Sequence, residues 1–260
     1  MTINNQSLIS IVIPCFNSEQ YLSATLDSCF QQTYPNFELI VVDDGSTDGS
    51  LAIAQEYAHS YTNLKIISIE NHGQCFARNI GMKEAQGKYI LFLDSDDLIV
   101  PQYLEEQLKA LEVHQVDLSI CNEMPFNASN FLEKQKQLNR QSASTIFNFV
   151  YYDNFLECIR SFGVTYNSIL IAREKVLAVG GFETSLKAAN EINLHLKLAS
   201  QFPALKAVVY PNKRLVLKRV HKTSISGKRK AGKDPTPHIL YSLQKAGEYY
   251  LNSNSQDQLL

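Results

Sequence analysis

Apolar residues in the first 121 positions fall into two alternating patterns. Short runs at Leu8 to Ile13, Phe37 to Val42, Leu64 to Ile69 and Tyr89 to Leu93 show little polar alternation, which predicts strands buried on both faces. Pro14 ends the first run, and Asp117 to Cys121 closes the series. Between them, Glu19 to Gln32 carries Leu22, Leu26, Cys29 and Phe30 at helical spacing. Ser50 to Tyr61, Cys75 to Ala85 and Pro101 to His114 also read as helices, with proline suiting a first turn. Strands alternating with helices of this length predict an α/β fold: a mostly parallel central sheet, helices on both faces and right-handed crossovers.

The second half is less regular. Glu123 to Asn148 is polar, Lys- and Gln-rich and without a clear period, so it reads as a long excursion or loop. Phe149 to Arg160 and Arg173 to Val179 read as helices, Gly180-Gly181 ending the latter, and Asn190 to Ser200 is amphipathic. Pro237 to Leu251 reads as a terminal helix before a polar tail. The expected organisation is residues 1–121 and 122–230 as two halves of one domain, then a C-terminal helix and tail over 231–260.

Composition narrows the classes. At 260 residues the chain can bury a proper core, and a net charge of −2 offers no global attraction to nucleic acid. Five scattered cysteines without a CxxC fit reduced thiols in a cytoplasmic protein. No segment approaches the roughly 18 apolar residues of a membrane span. Met1 to Ser7 lacks the basic and apolar regions of a signal peptide. From Lys213 to Lys233 there are nine Lys/Arg and no acid. Three readings stay open for it: a cover over a diphosphate, a peripheral contact with anionic lipid at the inner face of the plasma membrane, and a solvated tail.

The candidate chemistry sits where the strands end. In an open parallel α/β sheet, ligands bind beyond the carboxyl ends of the strands. Three polar clusters fall there: Pro14-Cys15-Phe16-Asn17, Asp43-Asp44-Gly45-Ser46 and Asp94-Ser95-Asp96-Asp97. Carboxylates packed at the end of a buried strand repel one another and resist desolvation, a conflict that a divalent cation relieves. Mg²⁺ in particular takes one or two carboxylates and fills its shell from water and substrate phosphates. The alternative is an Asp-rich turn in water. Neither a G-x-G-x-x-G nor a G-x-x-x-x-G-K-[ST] motif occurs. A buried strand running into D-x-D also opens phosphatases of the haloacid dehalogenase type, although there the motif usually begins the chain.

Ser10-Ile11-Val12-Ile13-Pro14-Cys15-Phe16-Asn17, Leu39-Ile40-Val41-Val42-Asp43-Asp44-Gly45-Ser46-Thr47-Asp48, Ala77-Arg78-Asn79-Ile80-Gly81 and Phe92-Leu93-Asp94-Ser95-Asp96-Asp97 together resemble family 2 glycosyltransferases. Gly180-Gly181-Phe182, Arg219-Val220-His221 and Ser224-Ile225-Ser226 extend the likeness more weakly. The resemblance implies a GT-A, Rossmann-like fold with a smaller mixed acceptor-side region. It also implies an inverting transferase that uses a nucleotide-diphosphate-sugar donor, UDP-linked by preference, and a glycan or lipid-linked sugar acceptor. By that likeness Pro14, Phe16 and Asn17 line the nucleoside pocket with Asp43, and Asp44 hydrogen-bonds the base. Arg78 lies near the base or diphosphate, Asp94 with Ser95 meets the ribose, and Asp96 holds Mn²⁺ or Mg²⁺.

The catalytic base departs from the family pattern, which has Glu-Asp, a spacer and a second Asp. This chain reads Asn190-Glu191-Ile192-Asn193-Leu194-His195, so Glu191 stands at the base position and Asn193 replaces the second acid. The other readings are a helix-start acid favoured by the dipole and a catalytically impaired nucleotide-sugar or glycan-binding homologue. His195 is expected to be a core histidine, and His221 a further ligand to metal or diphosphate or neither.

Overall fold

The computed structural model describes residues 7–142, 148–162, 165–185 and 190–221. The helix expected at Pro237 to Leu251, the Ser224-Ile225-Ser226 match and the basic residues beyond His221 lie outside them.

Four strands build the first part of the sheet: β1 (Ile9–Cys15), β2 (Phe37–Asp44), β3 (Leu64–Ile69) and β4 (Tyr89–Phe92). They lie in the order β3-β2-β1-β4, all parallel. The crossovers run through α1 (Leu22–Phe30), α2 (Ser50–Ser60) and α3 (Gln74–Glu84). Unbroken apolar runs in β1, β2 and β4 follow from cover on both faces, whereas β3, expected to be buried on both faces, lies at the sheet edge with Lys65 and Ser68 exposed. Ile11, Ile13, Leu39 and Val41 pack with Leu22 and Leu26 of α1, whereas Val12, Ile40 and Val42 pack with Cys75, Ala77 and Met82 of α3.

The expected stop at Pro14 does not occur, since β1 runs through it to Cys15. Val12 and β4 explain why this is tolerated. The Val12 carbonyl accepts from the Leu93 N–H on the β4 side, so Pro14, two residues on, turns its missing donor toward that side. Pairing with β4 has already ended there, at Phe92.

The chain continues through β5 (Leu98–Ile99), α4 (Tyr103–His114), β6 (Leu118–Phe126), α5 (Phe131–Ser142), β7 (Val150–Tyr152), α6 (Phe155–Ser161), β8 (Ile169–Ala172), α7 (Arg173–Ala178), α8 (Asn190–Gln201) and β9 (Ala207–Arg219). The sheet extends from β4 as β8-β6-β9-β5, with β7 also on β9. β8 is antiparallel to both β4 and β6, and β9 is parallel to β6. The carboxyl ends of β1, β2, β4, β6 and β9 therefore share one edge. β6 also crosses residue 121, so the two expected halves share one sheet.

Three expectations need correction. Residues 123–148 are not a plain loop, because β6 runs to Phe126 and α5 follows. Phe131 and Leu138 anchor α5 on Phe126, Met124 and Leu217, an apolar seam too sparse to give a visible period. The helix expected from Phe149 begins only at Phe155, where the Asn154 side chain accepts from the Leu156 N–H. Val150 to Tyr152 ahead of it pair with β9 instead. The start of the basic stretch, Lys213 to Arg219, is strand: β9 runs through Pro211, whose carbonyl accepts from the Asn122 side chain at 2.7 Å where the β6 register shifts.

All five cysteines are buried and free. Among the described residues no helix is long and apolar enough to cross a membrane.

Gly81 is where α3 comes closest to the sheet, since a Cβ there would lie 2.3 Å from Val12 Cγ1 and 3.2 Å from Val42 Cγ2. Gly81→Ala should lower stability by about 1–3 kcal/mol through overpacking, despite alanine's better helix propensity. Chemical denaturation measures it, and unchanged or raised stability would show that α3 can lift from the sheet.

Candidate active site

The loops after β1 and β2 are laced together at the carboxyl edge. The Asn17 N–H donates to Ser46 Oγ at 3.0 Å, and Asn17 Oδ1 accepts the Thr47 N–H at 2.8 Å. Asn17 takes up a left-handed φ of 48° to do this. Pro14 is buried in β1, while the Phe16 ring is 48% exposed on the rim.

The paired aspartates ending β2 are both buried, but they do different things. The Asp44 oxygens each accept a backbone N–H, from His72 and from Gly73, both at 2.8 Å. Asp44 thus anchors the loop before α3. Among the described residues Asp43 Oδ2 has long contacts alone, to the Ser46 N–H at 3.4 Å and the Ser68 hydroxyl at 3.5 Å. Its Oδ1 is buried with no hydrogen-bond partner among the described residues. Of the two, Asp43 has the acceptor capacity to spare.

The acidic cluster after β4 is held from several elements. The Arg78 guanidinium of α3 reaches Asp94 Oδ1 at 2.5 Å, and Arg78 is 2% exposed. The guanidinium lies over the Tyr166 ring at 4.8 Å and the Phe182 ring at 5.6 Å. Asn167 accepts the Asp94 N–H at 3.0 Å and donates to Asp97 Oδ2 at 2.5 Å. Asp97 Oδ1 accepts the Arg219 N–H at 2.7 Å, and His221 Nε2 lies 2.9 Å from Asp96 Oδ2. The Ser95 hydroxyl meets that of Ser18 at 2.7 Å, and its carbonyl accepts from Thr25 Oγ1 at 2.9 Å.

One ligand oxygen from each of Asp94, Asp96 and Asp97 falls within 4.8 Å of the others. Burial opposes ionisation of Asp94, but Arg78, aided by Lys218, holds its carboxyl below the ordinary range. Asp96 and Asp97 go the other way. Burial and then the charge of Asp94 raise Asp96 against the pull of His221. Burial, then Asp96 and Asp94, push Asp97 well above the usual carboxylate range. A cluster of oxygen donors at this spacing, short of positive charge, fits a divalent cation.

Glu191 stands in the first turn of α8. Burial pushes its carboxyl up to about 7, with Lys218 opposing, Asp94 raising, Arg78 opposing and Glu123 raising it. Those influences put Glu191 at the same edge as the acids after β4. His195 is buried against a small apolar cavity lined by Phe92, Phe155, Tyr166 and Leu194, and burial lowers its pKa to about 4. Asn193 is buried too, roughly 200° round the helix from Glu191.

Sequence reasoning missed Tyr166 and Asn167, which precede β8, together with Glu123 and Lys218. Glu123 accepts from Thr165 Oγ1 and lies 3.6 Å from Lys218 Nζ. Lys218 comes from the stretch whose charge hid a strand, and Lys213 of the same stretch pairs elsewhere, with Glu106. The apolar run Leu215-Val216-Leu217 was the signal available for that strand.

A family model described as Glycosyl transferase family 2 matches residues 10–173. Glycosyltransferase GlyA of Streptococcus pneumoniae is 40% identical over 121 residues, 46% of this chain and 17% of that protein. The crystal structure of S. aureus TarS 1-349 in complex with UDP superposes with a TM-score of 0.66 at 25% identity, covering 82% of this chain and 61% of that one. The mannosyltransferase PcManGT from Pyrobaculum calidifontis, in complex with GDP-Man and Mn²⁺, shares the fold with a TM-score of 0.63 at 19% identity, over 98% of this chain and 76% of that one. The architecture is GT-A.

Two measurements test this electrostatic arrangement. Asp94→Asn leaves the buried Arg78 charge unmet, so it should cost about 3 kcal/mol in urea denaturation, the low end for a broken buried pair because the Asp94 side chain is 31% exposed. A loss below about 1 kcal/mol would show that Arg78 is neutralised otherwise. Glu191 binds its proton more tightly folded than unfolded, so its contribution to stability falls as pH rises from about 4.5 to about 7 and then levels off. Subtracting the Glu191→Gln profile from that of the unsubstituted chain isolates this slope from Asp96 and Asp97, which shift in the same direction. A flat difference would refute the raised value.

Proposed function

This chain belongs to glycosyl transferase family 2, and from that premise we propose that it moves a sugar from a nucleoside-diphosphate sugar to a hydroxyl acceptor with inversion at the anomeric carbon. The observation that carries this reading is the convergence, on one sheet edge, of the Asp94-Asp96-Asp97 cluster and the half-buried carboxyl of Glu191.

Each residue then has a task. Phe16, exposed on the rim, offers a ring face to the base, with Asn17 and Pro14 shaping the loop beneath it. Asp43 Oδ1 supplies an acceptor for the nucleoside, while Asp44 fixes the neighbouring loop. Asp94 receives the ribose hydroxyls beside Ser95. Arg78 acts through Asp94, since its guanidinium is shut between two rings and one carboxylate. Asp96, with its neighbours and His221 beside it, would hold Mn²⁺ or Mg²⁺. When bound, such a cation offsets the charge gathering on the departing diphosphate.

Glu191 takes the proton from the acceptor hydroxyl. A carboxyl raised to about 7 is partly ionised near neutral pH yet basic enough to accept that proton. The acceptor oxygen bonds to the anomeric carbon as the bond to the diphosphate oxygen on the opposite face breaks, and the nucleoside diphosphate leaves. UDP is the favoured donor nucleotide, as bound by TarS. A glycan or lipid-linked sugar is the proposed acceptor class. The Asn193 amide lies on the buried face of α8, away from Glu191, which favours this reading over a catalytically impaired homologue.

The test is donor turnover. With a UDP-sugar and Mn²⁺, Glu191→Gln should lower kcat by about 10²–10⁴ while UDP binding by calorimetry persists. EDTA should abolish turnover and weaken UDP binding. Full turnover by Glu191→Gln would remove Glu191 from the chemistry. Phosphate release from simple monoesters, stopped by Asp94→Asn, would indicate a phosphatase instead.

A further inference from the structure

The turn that ends α7 is tied from two sides. Gly180 and Gly181 take positive φ of 73° and 69°, and the Gly181 N–H returns to the Val176 carbonyl at 3.0 Å. A Cβ on Gly181 would stand 2.4 Å from Asn79 Oδ1, so only glycine lets α3 approach this closely. Asn79 uses the approach to clamp Phe182. Its Nδ2 donates to the Phe182 carbonyl and its Oδ1 accepts the Phe182 N–H, both at 2.8 Å. The Phe182 ring meets Phe92 and Tyr166 edge-on at 4.8 and 4.9 Å.

The second tie comes from α8. Lys197 Nζ donates to the Gly181 carbonyl at 2.9 Å, and Lys197 is only 8% exposed. An ammonium on the buried side of an amphipathic helix is unfavourable beside an aliphatic chain of the same length. Burial holds its pKa below the ordinary lysine value, with Glu183 pulling the other way. Asn79 follows Arg78 on α3, and Lys197 follows Glu191 on α8 by about 9 Å of helix rise. One three-residue turn thus joins the helix that grips Asp94 to the helix that carries Glu191.

We propose that Lys197 is a positioning residue for the catalytic base: its bond to the Gly181 carbonyl fixes α8 along its axis against α3, and with it the distance from the Glu191 carboxylate to the donor acids. The proposal rests on Glu191 being the base. A displacement of about 1 Å at a reacting group can cost on the order of 100-fold in rate without weakening substrate binding. Lys197 therefore acts on kcat and leaves nucleotide affinity alone.

The test uses the full chain and the variants Lys197→Met and Lys197→Arg. UDP with Mn²⁺ should bind Lys197→Met within about twofold of the unsubstituted protein, while kcat falls about 10- to 100-fold at nearly constant donor KM. Lys197→Arg, which keeps a donor at that reach, should recover most of the turnover. A crystal structure of Lys197→Met should show Glu191 moved by about 1 Å with the Arg78–Asp94 pair in place. If Lys197→Met does not fold, Lys197→Gln carries the same comparison. Unchanged turnover with Glu191 in place overturns the proposal, and so does a parallel loss of UDP binding and turnover. Turnover by Glu191→Gln would instead defeat the reading of Glu191 as base, with the crystallographic displacement still deciding whether Lys197 positions that residue.

Discussion

Arg78 has given up nearly all contact with water, so its charge has to be met by its neighbours. Its surroundings come from three distant parts of the chain: Asp94 after β4, Tyr166 ahead of β8 and Phe182 after α7. Two ring faces and one carboxylate suit a flat, weakly hydrated guanidinium better than they would a lysine. That arrangement orients Asp94 and draws the residue ahead of β8 and the residue ending the Gly180-Gly181-Phe182 turn onto one guanidinium.

From this pair the charge at the carboxyl edge is graded. Asp94 is kept ionised by its cation, and Asp96 and Asp97, behind it, are left with a deficit of positive charge. Glu191, further round, is raised to about 7 chiefly by burial, with Lys218 opposing and Asp94 adding to it. Carboxyls of one chemical type thereby diverge, Asp94 held below the ordinary range while Asp96, Asp97 and Glu191 are raised, because their surroundings pull their pKa values apart.

The donor-side half was legible because its physics is local. Parallel strands buried on both faces announce themselves as apolar runs, and each delivers its ligands at its own carboxyl end, so Asp43, Asp44, Asp94 and Asp96 could be placed by counting. Asp43 and Asp44 looked alike in sequence, however, and their hydrogen bonds alone separate them. The other half was hidden because β8 runs backwards. An antiparallel strand presents its beginning to that edge, so Tyr166 and Asn167 reach the site ahead of an element, where no strand-end rule looks for them. β9 was disguised by Pro211 and its lysines and arginines, and α5 by an apolar stripe of two residues.

The buried cysteines have a practical consequence. Burial pushes the Cys15 thiol up to about 11 and those of Cys29 and Cys158 up to about 12, and it raises Cys75 and Cys121 as well. Thiolate is the nucleophilic form, so the folded chain presents almost nothing to an alkylating reagent at neutral pH. A single cysteine engineered on the rim would then accept a spectroscopic probe selectively, without first stripping the native sulfur from the core.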